Sequence, residues 1–236
     1  MIEKYVMPGQ RLELQAVHRG MNDGKEENKK VYASSVFDVL SEDRLDVVMP
    51  MEKTKLILLP VGAEYEVFFY TERGLYECIT RVIDRYKSNH VYLLTLELVT
   101  NLRKYQRREY YRFSCVLDMY TRILAKEEVV AVEKNEWHSV PGLPLKRSVI
   151  VDISGGGIRF ISSFPYETGN YIYCNYCLQY KEEERNYEIV CRVLDVQELE
   201  NRPGEYTHRA QYVGMNTKTR EEIIQFIFEA ERRNRQ

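Results

Sequence analysis

The chain contains no run approaching the ~20 apolar residues that a membrane-crossing helix requires. No apolar stretch follows the opening Met1-Ile-Glu-Lys-Tyr5, as a secretory leader would need. The expectation from both absences is a cytoplasmic protein without a membrane span. Cysteine is scarce, and its count of 5 is odd, so a full disulfide framework is not expected. Cys174-Asn-Tyr-Cys177 is a lone Cys-x-x-Cys. On a strand its two thiols point to opposite faces, and no second pair completes a zinc set. The 4 histidines, His18, His90, His138 and His208, are scattered, and no Ser/His/Asp or Cys/His order stands out. No catalytic residue, metal ligand or cofactor is therefore assigned, and the expectation is a protein that is not an enzyme. A basic excess is missing too. The formal net charge is -2, from 34 Lys and Arg against 36 Asp and Glu, which argues against a duplex nucleic-acid binder and leaves only local basic patches.

Tyrosine is abundant, with 19 in 236 residues, and with valine and isoleucine it favours half-buried pleated surfaces. Apolar-rich segments recur over Arg11 to Val17, Val31 to Leu40, Arg44 to Met49, Glu64 to Tyr70, Leu75 to Tyr86 and Val91 to Leu98. Pro60-Val-Gly62 and Glu72-Arg-Gly74 punctuate them, at the spacing of a β-sandwich or barrel. His18 to Lys30 reads as an exposed loop. The basic run Asn101 to Glu109 reads as a connector.

A second strand-rich segment begins at Phe113, where Phe113, Cys115, Leu117 and Met119 share one face at period two. Further strands are expected at Glu127 to Lys134, Ser148 to Asp152, Ile158 to Ser162, Tyr171 to Tyr180, Tyr187 to Val196 and Tyr206 to Val213. Six or so antiparallel strands of this kind make a small barrel. Asn135 to Lys146 should be a loop with Trp137 and His138 at the surface, and Glu182 to Arg185 a hairpin tip. Thr219-Arg-Glu-Glu222 has the form of a capping box. Ile223, Ile224, Ile227, Phe228 and Ala230 then follow at helical spacing. The fold class is all-β, two barrels with a C-terminal α-helix. The domains are 1–103, a basic linker 104–109, and 110–236.

Two local features carry chemistry. Arg107-Arg108-Glu-Tyr-Tyr-Arg112 lies where the basic run enters a strand, and guanidinium groups grip phosphates bidentately and stack on flat rings. If extended, the Arg108 to Arg112 gap spans about 13 Å, letting two arginines approach a ligand from different sides. Some forty residues on comes Asp152-Ile-Ser154-Gly-Gly156-Gly157. Asp152 and Ser154 share a face on a strand, and a carboxylate can accept from the N–H edge of a guanine. Three successive glycines permit positive φ and close approach, a nest suited to an anion or a flat base. Of Tyr110 and Tyr111, one is expected to face the core. Each feature alone is bland, a charged connector and a hairpin turn.

Their ordered pairing resembles the PilZ domain, a receptor for cyclic di-GMP. Arg108 and Arg112 match its Arg-x-x-x-Arg, and Asp152, Ser154 and Gly157 match its Asp-x-Ser-x-x-Gly. Gln106 to Phe113 and Arg209-Ala-Gln-Tyr-Val-Gly-Met215 are similar to that family as well. Pro8-Gly-Gln10, the Pro50 turn, Pro60-Val-Gly62 and the Tyr65 to Phe69 strand resemble the N-terminal, split-barrel-like module of YcgR-type flagellar brake proteins. The resemblance implies a cyclic di-GMP site made of Arg107, Arg108, Arg112, Asp152, Ser154, Gly156 and Gly157. A basic residue at the position of Arg107 implies an intercalated ligand dimer. It further implies that ligand capture by the connector changes the interdomain arrangement. The implied partner is a flagellar motor or other bacterial protein, at the basal body. Output to exopolysaccharide synthesis or secretion stays open within this class. Outside it stand a flavin-binding split-barrel enzyme and a single-stranded nucleic-acid binder, the latter disfavoured by the acidic balance.

Overall fold

Burial alternates along β1 (Arg11–Ala16), where Leu12 and Leu14 are fully buried between more exposed neighbours. It does so again along β6 (Glu64–Thr71) at Tyr65, Val67 and Phe69, as expected of strands with one face on a core. The computed structural model describes residues 2–17, 30–180 and 183–235. The chain divides into two compact units, residues 1–107 and 108–236. The expected loop over His18 to Lys30 lies, up to residue 29, outside the described residues.

Between β1 and β6 the first unit holds β2 (Val31–Val39), β3 (Arg44–Val48) and the short hairpin β4 (Met51–Glu52) and β5 (Lys55–Leu56). After β6 come β7 (Gly74–Ser88), β8 (Val91–Leu98) and β9 (Arg103–Lys104). The main sheet runs β6-β1-β2-β3-β8-β7-β9, and β6 also pairs with β7. The pairings therefore close into a ring through the long β7. Its residues 74–81 pair with β6, and its residues 80–88 pair with β8. Leu12, Leu14, Val47, Val67, Phe69 and Leu96 belong to its core. Part of the basic run is not a free connector, because Arg103 and Lys104 pair with Glu77 and Tyr76 on β7. Arg103 also makes a 2.6 Å ion pair with the buried Glu77.

The second unit is a closed barrel. In chain order it holds β10 (Arg112–Ile123), α1 (Lys126–Glu133), β11 (Lys146–Ser154), β12 (Gly157–Ser162), β13 (Tyr171–Tyr180), β14 (Glu183–Leu199), β15 (Arg202–Val213) and α2 (Thr217–Asn234). The barrel order is β10-β11-β12-β15-β14-β13. Phe113 and Met119 are buried in its core, with Cys115 and Leu117 packed against them, and a bulge between Ser114 and Leu117 turns Val116 outward. The all-β, two-barrel expectation with a closing helix holds. Lys181 and Glu182 lie outside the described residues, while Glu183 to Arg185 is strand rather than hairpin tip.

Four local expectations are corrected. The segment Glu127 to Lys134 is not a strand: it is helical through Glu133, with Lys134 as the C-cap, although its valines favour pleated structure. Glu128 accepts the N–H of the N-cap residue Ala125 at 2.9 Å, and Val129 and Val132, three apart, pack beside Tyr173 and Trp137. Trp137 is thus not a bare surface residue: its indole N–H donates to Glu128 at 3.4 Å. Helix α2 starts earlier than the capping box implied. Asn216 is the cap, its Oδ1 accepting from the Thr219 N–H at 2.8 Å. Phe226, rather than the exposed Phe228, joins Ile223 and Ile227 in the core, and its ring meets Phe113 edge-on at 6.4 Å.

His208 is fully buried inside the barrel, stacked on Phe160 at 4.7 Å, and its Nε2 accepts the Tyr166 N–H at 3.2 Å. Among the described residues its Nδ1 has no hydrogen-bond partner. Burial lowers the pKa of this imidazole below 6.5. The unfolded chain therefore binds a proton that the folded barrel resists. The contribution is complete above pH ~6.5 and is lost as pH falls through the lower folded value. A melting temperature that declines from pH 7 to pH 5 is expected, with a flatter decline in His208→Phe. Identical slopes would contradict this.

Candidate ligand-binding site

The Asp152 to Gly157 motif is the β11–β12 hairpin. Ser154 pairs with Gly157, Ile153 with Ile158 and Asp152 with Arg159 across a two-residue turn, Gly155-Gly156. Ser154 serves this turn directly: its hydroxyl donates to the Gly157 carbonyl at 3.0 Å and accepts the Gly156 N–H at 3.3 Å. None of the three glycines has a positive φ, so the left-handed freedom expected of them is not used. Close approach is what requires them. A Cβ on Gly157 would lie 2.2 Å from the Ala210 carbonyl oxygen, and one on Gly155 would lie 2.5 Å from Tyr110 Cδ1. The flat group lying against Gly155 and Gly156 is the Tyr110 ring.

Arg112 opens β10 directly across from Ser154. Its side chain is exposed and, among the described residues, has no hydrogen-bond or ion-pair partner. Arg108 is exposed, four residues earlier. The intervening chain is not extended, because Glu109 and Tyr110 form a bend, so the separation falls short of the extended reach. Asp152 is partly buried, and its Oδ2 accepts from Arg159 Nε at 2.7 Å. Adjacent strands thus bring Arg112, Asp152, Ser154, Gly156 and Gly157 together. Arg107 belongs to the first unit. There its Nη1 donates to the Tyr70 hydroxyl at 3.1 Å and lies 3.5 Å from Glu13 Oε2.

Two arginines outside the motifs stand beside them. Arg159 flanks Asp152, and Arg209 stands opposite Arg159 on β15, 3.9 Å from Asp195. Each of these arginines faces a carboxylate, Asp152 or Asp195. Arg159 was legible in principle, since a two-residue turn at 155–156 pairs position 152 with 159. Of the adjacent tyrosines, Tyr110 packs on the glycines, while Tyr111 is exposed and its hydroxyl donates to Glu231 at 3.1 Å.

Burial, with the Asp152 charge adding, pushes the Cys115 thiol up to about 11, which keeps it protonated at neutral pH. Cys174 is buried and Cys177 exposed, on opposite faces of β13. Among the described residues no group of His, Cys, Asp or Glu is arranged to hold a metal ion, and no helix is long and apolar enough to cross a membrane.

Comparison with known proteins bears on both units. The solved structure of the inhibitor of motility from Bacillus subtilis (MotI/DgrA) is similar over 98% of this chain and 100% of that one, at 17% identity and TM-score 0.72. At that identity the likeness is one of fold. YcgR from Escherichia coli, solved in complex with c-di-GMP, aligns over 96% of this chain and 85% of that one, at 14% identity and TM-score 0.45. No curated protein sequence matches the chain. Family models match both parts: residues 7–98 match the family described as flagellar protein YcgR, and residues 106–229, more than half of the chain, match the PilZ domain. With the PilZ model matched over more than half of its length, folded as a closed six-stranded barrel and preceded in sequence by a YcgR-type segment, this chain belongs to the PilZ-domain family.

Proposed function

We propose that this chain is a non-enzymatic receptor for cyclic di-GMP that regulates flagellar motility from the cytoplasm. Its site is formed by Arg108, Arg112, Asp152, Ser154, Gly156 and Gly157, joined by Arg107. The observation that carries this reading is Arg112, an unpartnered, exposed guanidinium directly across from Ser154. Cyclic di-GMP has two phosphodiesters and two guanines. A guanidinium with no internal partner can grip a phosphate without first breaking a bond, and each charge-assisted hydrogen bond contributes roughly 1.5–3 kcal/mol. Asp152 keeps Oδ1 for a guanine edge while Oδ2 stays on Arg159.

Arg107 enters through the family pattern. Its contact to Glu13 is long, at 3.5 Å, and exposed on the Arg107 side, so releasing that ion pair costs on the order of 0–1 kcal/mol, with the bond to the Tyr70 hydroxyl lost as well. Its recruitment accompanies a second, intercalated ligand. Arg107 and Arg108 flank the boundary between the two units, so fixing them would bias the interdomain arrangement by the ligand's differential affinity for each arrangement. The altered surface would then engage a flagellar partner.

Thermal melting tests the binding. A ligand that binds only the folded state stabilises it by about 2.7 kcal/mol at a hundred times its Kd. Cyclic di-GMP should therefore raise the melting temperature by several degrees, and cyclic di-AMP and GTP should not. Equal melting with and without cyclic di-GMP would overturn the proposal.

A further inference from the structure

The two motifs are joined by a residue that belongs to neither. Arg220 lies in the first turns of α2. Its Nη1 donates to the Gly155 carbonyl at 2.8 Å and to the Tyr110 hydroxyl at 3.2 Å, and its guanidinium carbon lies 5.4 Å from the centre of the Tyr110 ring. Tyr110 sits between Arg108 and Arg112, and Gly155 sits between Ser154 and Gly157. One guanidinium therefore spans the arginine motif and the glycine turn.

The surroundings explain why this contact has only one geometry. The Tyr110 ring lies against Gly155 and Gly156, where even a methyl group would collide with it, and Ile224 closes the other side of Gly155. Gly155 is buried, and its carbonyl needs a donor, because a buried unpaired carbonyl is costly. Arg220 supplies that donor. Tyr110 is in the bend that aims Arg108 relative to Arg112, so holding its hydroxyl holds the bend. One residue further on, the Tyr111 hydroxyl donates to Glu231 of the same helix, and Glu231 also takes Arg235 at 2.6 Å. Helix α2 thus grips the segment between the motif arginines at two points.

We infer that Arg220 is a positioning residue for the ligand site: it locks the Arg108–Arg112 bend to the Gly155–Gly156 turn, so that both motifs meet the ligand pre-arranged. The inference rests on the cyclic di-GMP reading of the site. Arg220 acts through its contacts to Tyr110 and Gly155. Its effect is to remove the ordering cost that a loose bend and turn would otherwise add to binding.

The test uses the full chain with two readouts, the cyclic di-GMP Kd by calorimetry and amide hydrogen exchange over residues 109–112 and 154–157. Arg220→Ala should weaken binding about tenfold, the equivalent of one lost hydrogen bond, and should speed exchange in both segments while the barrel strands stay protected. Tyr110→Phe, which keeps the ring and removes the hydroxyl, should give a smaller loss. The double variant should lose less than the sum of the two, because both act through one contact. Arg220→Lys should recover part of the affinity through the Gly155 carbonyl. An Arg220→Ala protein with a lower melting temperature but unchanged Kd and unchanged local exchange would overturn the inference, leaving Arg220 a helix-packing residue. If the wild-type chain binds no cyclic di-GMP, the ligand reading falls, and local exchange alone then decides whether Arg220 holds the two motifs.

Discussion

Replacing Arg112 with alanine is expected to weaken cyclic di-GMP binding by about a hundredfold while leaving the barrel folded. The expectation follows from what Arg112 does without ligand, which is nothing that stabilises the chain. It is exposed, and among the described residues its guanidinium has no partner. Removing such a side chain changes stability by no more than about 0.5 kcal/mol. In the complex it would make two parallel bonds to one phosphate, and losing about 3 kcal/mol of charge-assisted bonding is a factor of about a hundred. Arg112→Lys keeps the charge and loses the planar fork, so it should fall between the two. Calorimetry of the three proteins reads the affinities, and thermal melting confirms that all are folded. Equal affinities would remove Arg112 from the site.

The second large effect concerns stability. Arg122 and Glu128 form a bidentate pair, with Nη1 to Oε2 at 2.7 Å and Nη2 to Oε1 at 2.6 Å. The two side chains are only 9% and 15% exposed. The Glu128 carboxylate also accepts the Ala125 N–H and the Trp137 indole N–H. Glu128→Ala would strand a nearly buried guanidinium and two further donors, so a loss of about 3–5 kcal/mol is expected. The pair also makes a pH prediction. The Arg122 guanidinium, with the two N–H donors, holds Glu128 down at about 2, against an ordinary value of 4.5. The folded pKa is depressed, so the contribution is complete above pH 4.5 and is lost as pH falls toward 2. Allowing for solvent screening it amounts to roughly 2–3 kcal/mol. Trp137 is the only tryptophan in the chain and sits on this carboxylate, so its fluorescence reports the transition locally. In Glu128→Gln that acid limb should vanish. A wild-type limb that persists in the variant would place its origin elsewhere.

The barrels were legible because period-two burial is a local signal. Tyr65, Val67 and Phe69 alternate inward in the sequence as they do in β6. Helix α1 was not legible, since three valines among glutamates read as a strand until the Glu128 carboxylate is seen to serve Arg122 and the helix start together. Phe226 and Phe228 are interchangeable by composition, and only the helix's rotation against Phe113 chooses between them. For the candidate site, the motif spacing singles out Arg112, Asp152, Ser154 and the glycines, which register places on neighbouring strands and their turn, and hairpin register adds Arg159 beside Asp152. Arg220 could not be found that way, because its partners Tyr110 and Gly155 lie 110 and 65 residues away. The glycines show the same boundary. Their need was visible in the sequence, but its cause, the Tyr110 ring and the Ala210 carbonyl, is a tertiary fact.

Calorimetric titration of cyclic di-GMP into the 236-residue chain tests the central claim most directly. The expected result is a saturable heat with wild-type protein, displaced by no excess of GTP, that collapses in Arg112→Ala and in Asp152→Ala. A wild-type titration without heat at any ligand concentration and temperature, in protein shown to be folded, would contradict it.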